Sequence, residues 1–261
     1  MKIHLIDANN YLRRKFESSF NVPSIIHLLS PDPMFWVFDG KGALKARQDL
    51  YPGYKAKRDR ETPTNNGAYA MLQTIREELL IHTGGYIVRV PGLEADDVIA
   101  HLAWTFSGQG IHVRIESNDG DFHSLVDDKV TLATPPGWAS EIAPKDVRLY
   151  KTLVGDQSDN IPGLKGFGEK GWKALSEGEK QLWKEFLWDD SGPEPADEVR
   201  QMLKPSQLDW FNAGGDKLLL TFWKVVGFLP VTDDIINQHT VAGVKDAKAY
   251  SEVLRKYMWT I

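Results

Sequence analysis

Nine acidic residues stand where carboxylates could act together on one ligand: Asp7, Asp39, Glu94, Asp96, Asp97, Asp119, Asp121, Asp156 and Asp159. Asp7 and Asp39 close short apolar runs. Glu94, Asp96 and Asp97 sit in Gly-Leu-Glu-Ala-Asp-Asp, at the start of a helical pattern. Asp119 and Asp121 follow the run that ends near Glu116, and Asp156 and Asp159 lie in Gly-Asp-Gln-Ser-Asp-Asn. So many carboxylates could not stay ionised side by side without a counter-charge, because like charges raise each other's pKa. Hard divalent cations supply that charge. Mg²⁺ takes oxygen ligands and keeps several waters, so a loose ring of acids, some acting through water, suits it. Taken singly, each acid has an ordinary explanation. An acid at a helix start caps it or meets its dipole, and an Asp after a strand is commonly a turn residue. Repetition of the pattern at four or five strand ends is what points to a shared pocket.

The elements that must position these acids are legible as hydrophobic patterns. Five runs rich in Val, Ile and aromatics read as strands: Ile3–Asp7, Met34–Asp39, Tyr86–Val90, Ile111–Glu116 and Lys129–Ala133. Helical spacing appears between several of them, over Gly67–His82 and Ala95–Phe106. Strands alternating with helices predict an α/β fold around a mostly parallel sheet. In such a sheet, ligands gather beyond the carboxyl ends of the strands, where the acids fall. After about Pro144 the strand signals fade and the pattern turns helical, broken by Gly and Pro. We therefore expect an α/β domain over 1–143 and a helical domain over 144–261.

The 261-residue chain carries a formal charge of −5, which at first argues against a polyanionic partner. The distribution argues otherwise. Seven of the 31 basic residues fall between Lys41 and Arg60, in and around Tyr51-Pro-Gly-Tyr-Lys-Ala-Lys-Arg-Asp-Arg. Lys and Arg there can neutralise phosphates and Tyr51 and Tyr54 can stack on bases, although a solvated charged loop has the same composition. Gly166-Phe-Gly-Glu-Lys-Gly171 formally matches a dinucleotide-binding fingerprint but comes after a Pro-Gly turn rather than a strand. A helix–turn–helix hairpin fits better, its glycines letting backbone N–H groups approach a phosphate, with Lys165 and Lys170 adding charge; a plain turn is the alternative. There is no cysteine, which excludes disulfides and thiolate zinc sites and fits a reducing cytoplasm. No apolar run approaches the roughly 18 residues of a membrane span, and Asp7 interrupts what could have been a signal peptide.

Six stretches in order, Leu-Ile-Asp-Ala-Asn-Asn (5–10), Val-Phe-Asp-Gly (37–40), Leu-Tyr-Pro-Gly-Tyr-Lys-Ala-Lys-Arg (50–58), Leu-Glu-Ala-Asp-Asp-Val (93–98), Asn-Asp-Gly-Asp-Phe (118–122) and Gly-Asp-Gln-Ser-Asp-Asn-Ile-Pro-Gly-Leu-Lys-Gly-Phe-Gly (155–168), resemble the 5′-nuclease family. That family includes flap endonucleases, phage 5′→3′ exonucleases and the nuclease domains of bacterial DNA polymerase I. The resemblance covers roughly residues 1–175. It implies a PIN/resolvase-like sheet, a helical arch near 44–83, and a helix–hairpin–helix-type DNA-binding motif at 161–171. It also implies hydrolysis of 5′ flaps or 5′ ends of duplex DNA, or of RNA primers, in replication or repair. Carried over by position, Asp7, Asp39, Glu94 and Asp96 resemble a first metal set, and Asp97, Asp119, Asp121, Asp156 and Asp159 a second set or its water-mediated shell. The implied cofactors are two Mg²⁺ or Mn²⁺ ions, with K⁺ at the hairpin. Lys55 and Arg58 resemble the catalytic basic residues that reach the scissile phosphate. Arg14, Arg47, Tyr54, Gly163, Lys165, Gly166, Gly168 and Lys170 resemble DNA-binding positions. The implied partner is DNA, flapped, nicked or 5′-ended, with RNA–DNA hybrid as a variant, and no membrane; a cytoplasmic monomer of a bacterium or phage-infected cell is expected.

Three rivals are weighed. A haloacid-dehalogenase phosphatase needs a DxD pair, but position 9 is Asn9. A PIN-type single-strand ribonuclease shares the sheet and the acids but usually lacks the hairpin. A nuclease-dead binder of branched DNA would not need every acid.

Overall fold

Five of the β-rich runs become strands because their Val, Ile, Leu and aromatic side chains fit a pleated surface buried on both faces. The computed structural model describes residues 2–12, 32–57, 78–188 and 194–258. They divide into two units, one of Met1–Ala43, Asp59–Gly137 and Leu229–Ile261, the other of Leu44–Arg58 and Trp138–Phe228.

The first unit is built on a six-stranded sheet in the order β5-β4-β1-β2-β3-β6. The strands are β1 (Lys2–Asp7), β2 (Met34–Val37), β3 (Tyr86–Val88), β4 (His112–Glu116), β5 (Val130–Leu132) and β6 (Thr240–Ala242). β1 to β5 run parallel, and only the β3–β6 pairing is antiparallel. The chain builds outward from β1 through β2 and β3, then crosses back to lay β4 and β5 on β1's other side. That reversal makes the gap between β1 and β4 a topological switch point, the place where open α/β sheets take ligands. The helix Ala95–Gly108 makes the crossover and packs on β1 and β4. Its buried Val98, Ile99, Leu102 and Ala103 form the apolar stripe that seats it. A separate core cluster joins Ile6, Trp36 and Ile87 to Leu12, Leu80 and Tyr250.

The expected helical domain over 144–261 does not coincide with the second unit, which ends at Phe228. Residues 229–261 rejoin the first unit: β6 pairs with β3, and the helix Ala247–Met258 buries Tyr250 in the core cluster that also holds Trp36. Three residues of Thr-Val-Ala on a sheet edge are too few to display alternation, so no strand signal marks them.

The second unit is helical: Lys45–Leu50, Val147–Leu153, Gly168–Ala174, Glu177–Trp188, Glu194–Met202, Pro205–Trp210 and Asp216–Val226. Its core includes Leu149, Trp172, Trp183, Phe211, Leu219 and Phe222. Of the proposed arch, 44–57 belongs to this unit and 58–77 lies outside the described residues, as does most of the Gly67–His82 pattern. Among the described residues, no helix is long and apolar enough to cross a membrane.

Gly40 marks where β2's end passes closest to its neighbour. Its N–H donates to Leu93 O at 2.9 Å, and a Cβ there would lie 1.8 Å from the Val90 carbonyl oxygen. Backbone on both sides leaves nothing flexible to yield. Gly40→Ala should therefore destabilise the fold by about 2–3 kcal/mol, as overpacking does. Chemical denaturation measures this, and an unchanged midpoint would contradict the close approach.

Candidate active site

Asp7 ends β1 and is 6% exposed. Its carboxylate accepts the Asn10 N–H at 3.1 Å and the Ser117 hydroxyl at 2.9 Å. Ser117 lies one residue beyond β4, so this bond spans the switch point. Burial raises the Asp7 carboxyl from the usual carboxylate range to about 7. The charges of Asp39 and Asp119 push the same way, against the lowering hydrogen bonds from Asn10 and Ser117. Asp39 lies just past β2. One of its oxygens accepts the Ala95 N–H at 2.9 Å and the other the Asn9 amide at 2.6 Å. Beyond β4, the Asp119 N–H donates to Ser117 Oγ at 3.1 Å, and the Asp121 N–H donates to Asp119 Oδ1 at 3.0 Å. Three parallel strands thus deliver Asp7, Asp39, Asp119 and Asp121 to the side of the sheet where their carboxyl ends lie.

Glu94 and Asp97 form a capping box at the start of the helix Ala95–Gly108. The Asp97 side chain accepts the Glu94 N–H at 3.2 Å and the Leu229 N–H at 2.7 Å while wholly buried. That is a correction to its place in a metal set. Asp97 is 0% exposed, with no face open to an ion, and its two backbone hydrogen bonds orient Glu94 and the start of the helix. Asp96, the helix's second residue, is half-buried.

Among the described residues, no three His, Asp or Glu side chains are gathered closely enough to hold a metal ion as they stand. The donor set nonetheless fits hard divalent cations. It is all oxygen, Asp7 and Asp39 accept neutral N–H and O–H donors, and Asp7 takes up a proton near neutral pH where a cation would remove the need for one.

The second unit carries the remaining candidates. Asp156 begins a tight loop, its Oδ1 accepting the Ser158 N–H at 2.8 Å and hydroxyl at 2.6 Å. Lys151 Nζ meets its other oxygen at 2.7 Å. Burial alone would raise the Asp156 carboxyl, but Lys151 and Ser158 bring it below its ordinary value. Asp159 lies 3.9 Å from Lys55 Nζ, and the Lys55 N–H donates to the Asp159 carbonyl at 2.9 Å. Lys55 is buried, with its ammonium 4.8 Å from the Tyr54 ring centroid. Gly163, Gly166 and Gly168 all have positive φ, but only Gly163 is also closely packed, a Cβ there lying 2.6 Å from Leu153 O. Lys165 and Lys170 are exposed.

Two DNA-binding assignments are corrected. Arg47 is 4% exposed and donates to Val225 O and Gly227 O, each at 3.0 Å. It closes the C-terminus of the helix Asp216–Val226, where carbonyls lack partners and a cation meets the dipole. Tyr54 is 3% exposed and belongs to the unit's core, so its ring is spent on packing. Arg14 and Arg58 lie outside the described residues. Sequence reasoning missed Asn9, Asn10 and Ser117, which hold the acids. Their one signal was position, two and three residues after Asp7 and directly after β4.

The family model described as "5'-3' exonuclease, N-terminal resolvase-like domain" matches residues 21–151. Asp39, the Glu94–Asp97 group, Asp119 and Asp121 lie inside that match; Asp7, Asp156 and Asp159 lie outside it. The thermostable DNA polymerase I of Thermus aquaticus is 39% identical over 155 residues, 56% of this chain and 18% of that protein. A 5'-3' exonuclease of Aquifex aeolicus is 34% identical over 157 residues, 56% of this chain and 53% of its own length. The chain thus spans less than two thirds of either relative. A bacteriophage T5 D15 flap endonuclease, solved as a pseudo-enzyme-product complex with DNA and metal ions, superposes with a TM-score of 0.63 at 19% identity, covering 97% of this chain and 98% of that one. At that identity it speaks for the fold. With the family model matching half of its length, and with acids at the switch point of its sheet, the chain belongs to the 5′-3′ exonuclease family.

Proposed function

We propose that this protein is a divalent-metal-dependent 5′ nuclease that hydrolyses phosphodiester bonds at 5′ flaps or 5′ ends of DNA during replication or repair. One observation carries this most: Asp7, Asp39, Asp119 and Asp121 gather beyond the carboxyl ends of three neighbouring parallel strands, close enough that Asp39 and Asp119 raise the Asp7 carboxyl. Like charges gathered past the ends of three neighbouring strands, one of them on the buried Asp7, cost stability, and a catalytic use of cations is the simplest reason to keep them. The DNA and metal ions named for the T5 flap endonuclease support the same substrate and cofactor here.

Asp7, Asp39, Glu94 and Asp96 would hold one ion, and Asp119 and Asp121 a second; Mg²⁺ or Mn²⁺ suits the oxygen donors. When bound, such a pair supplies a hydroxide-like water at neutral pH and neutralises charge on the phosphate. The chain's part is to fix the carboxylates. Ser117 and the Asn10 N–H orient Asp7, the Ala95 N–H and Asn9 orient Asp39, and Asp97 sets the turn that carries Glu94. Asp156 and Asp159 enter as ligands on their motif alone, as do Lys55, Arg58 and Arg14 as phosphate contacts. Gly163, Gly166, Gly168, Lys165 and Lys170 are assigned to duplex backbone, with K⁺ at the hairpin, on the same ground. Such contacts grip DNA without reading its sequence. A monomer working in the cytoplasm of a bacterium or a phage-infected cell completes the proposal.

Asp39→Asn and Asp121→Asn should each lower the single-turnover cleavage rate of a 5′-labelled flap by at least about a hundredfold, the scale on which losing electrostatic stabilisation acts. DNA binding, read by fluorescence anisotropy, should remain measurable. Full activity in either variant would reject the assignment. Asp7 yields a second expectation. Its folded pKa lies above its unfolded value, so the metal-free protein holds an extra proton there. The stability this gives is complete below the unfolded value near 3.8 and is lost as pH rises through about 7. A cation binding the ionised form offsets that loss. Mg²⁺ should therefore raise the melting temperature more at pH 8 than at pH 6. Equal shifts at both would count against a cation at Asp7.

A further inference from the structure

Two consecutive asparagines reach from the end of β1 to opposite sides. Asn10 Oδ1 accepts the Asn118 N–H at 3.4 Å, on the β4 side. Asn9 turns to the β2 side, where its amide nitrogen lies 2.6 Å from Asp39 Oδ2. An ionised carboxylate only accepts, so this contact fixes the amide with its N–H toward Asp39. The other Asp39 oxygen is held by the Ala95 N–H at 2.9 Å. Asp39 is otherwise an exposed side chain at a strand end, and with both oxygens tied its rotation is stopped.

We propose that Asn9 is a positioning residue: its amide holds the Asp39 carboxylate in the orientation that receives a divalent cation and so sets the affinity of that site. This rests on the reading of Asp39 as a ligand. The residue type is informative. A Lys or Arg would donate as well but would add a positive charge that competes with the cation. An Asp could not donate and would add repulsion. A neutral amide orients the carboxylate and leaves its charge for the ion. Hydrogen bonds to ligating carboxylates act in this way, and losing one typically costs tenfold or more in metal affinity.

The test is Mn²⁺ binding followed by electron paramagnetic resonance in wild type, Asn9→Ala and Asp39→Asn, each also melted in EDTA. Asn9→Ala should weaken Mn²⁺ binding about tenfold while its metal-free melting temperature stays at the wild-type value. Its flap cleavage should need about tenfold more Mn²⁺ for half-maximal rate and recover the wild-type rate at saturation. If Asp39→Asn loses Mn²⁺ but Asn9→Ala binds as wild type, Asn9 has no positioning role, though Asp39 remains a ligand. If Asp39→Asn itself binds as wild type, the assignment of Asp39 fails and the proposal falls with it. A lowered metal-free melting temperature in Asn9→Ala, with a cleavage loss that saturating Mn²⁺ does not repair, would mark Asn9 as a fold contact and overturn the proposal.

Discussion

Like charges crowded at the switch point of a parallel sheet are the constraint on which the rest of this molecule turns. The topology leaves little choice. Once β2 and β4 flank β1 in parallel, the residues just past their carboxyl ends must meet Asp7. Those residues are Asp39 on one side and Ser117 through Asp121 on the other. Burial of Asp7 is the main reason its carboxyl behaves so unlike an ordinary aspartate, and the charges of Asp39 and Asp119 add to it. An arrangement of this kind is a liability in a protein with no use for cations and an asset in one that has.

Asp7, Asp39 and Asp119 accept hydrogen bonds from groups that add no charge. Backbone N–H groups of Asn10, Ala95 and Asp121, the Ser117 hydroxyl and the Asn9 amide all act within hydrogen-bonding distance. Asp97 shows the complementary case. Its charge is wholly buried and spent on two backbone N–H groups, one of them at Leu229. The segment that returns from the C-terminus to supply β6 is thereby tied to the start of the helix bearing Glu94 and Asp96, and His101 bonds Asp233 at 2.7 Å one turn further on. Buried polar groups paired in this way fix geometry more than they add stability.

Strands β1 to β5 were legible because β-branched and aromatic residues cluster in short runs, and the acids were legible because several of those runs end in one. What sequence could not show is what a side chain faces. Arg47 and Tyr54 sit in a basic, aromatic segment that reads as a phosphate contact. The guanidinium instead finds carbonyls at Val225 and Gly227, 178 and 180 residues away, and the ring finds a core. Composition is the same in either case; only the long-range partner differs. Asp97 was misjudged for a related reason, since a capping box and a ligand pair draw on the same residues at a helix start. The short edge strand β6 lacked the length that a period needs.

The central claim is that the acids at the carboxyl ends of β1, β2 and β4 share divalent cations. Anomalous diffraction from crystals grown with Mn²⁺ near pH 8 tests it most directly. The predicted result is a peak about 2.1 Å from carboxylate oxygens that include Asp39 and a neighbour among Asp7, Glu94 and Asp96, with a second beside Asp119 and Asp121. Mn²⁺ peaks found only elsewhere on the surface, with these carboxylates unligated, would contradict it.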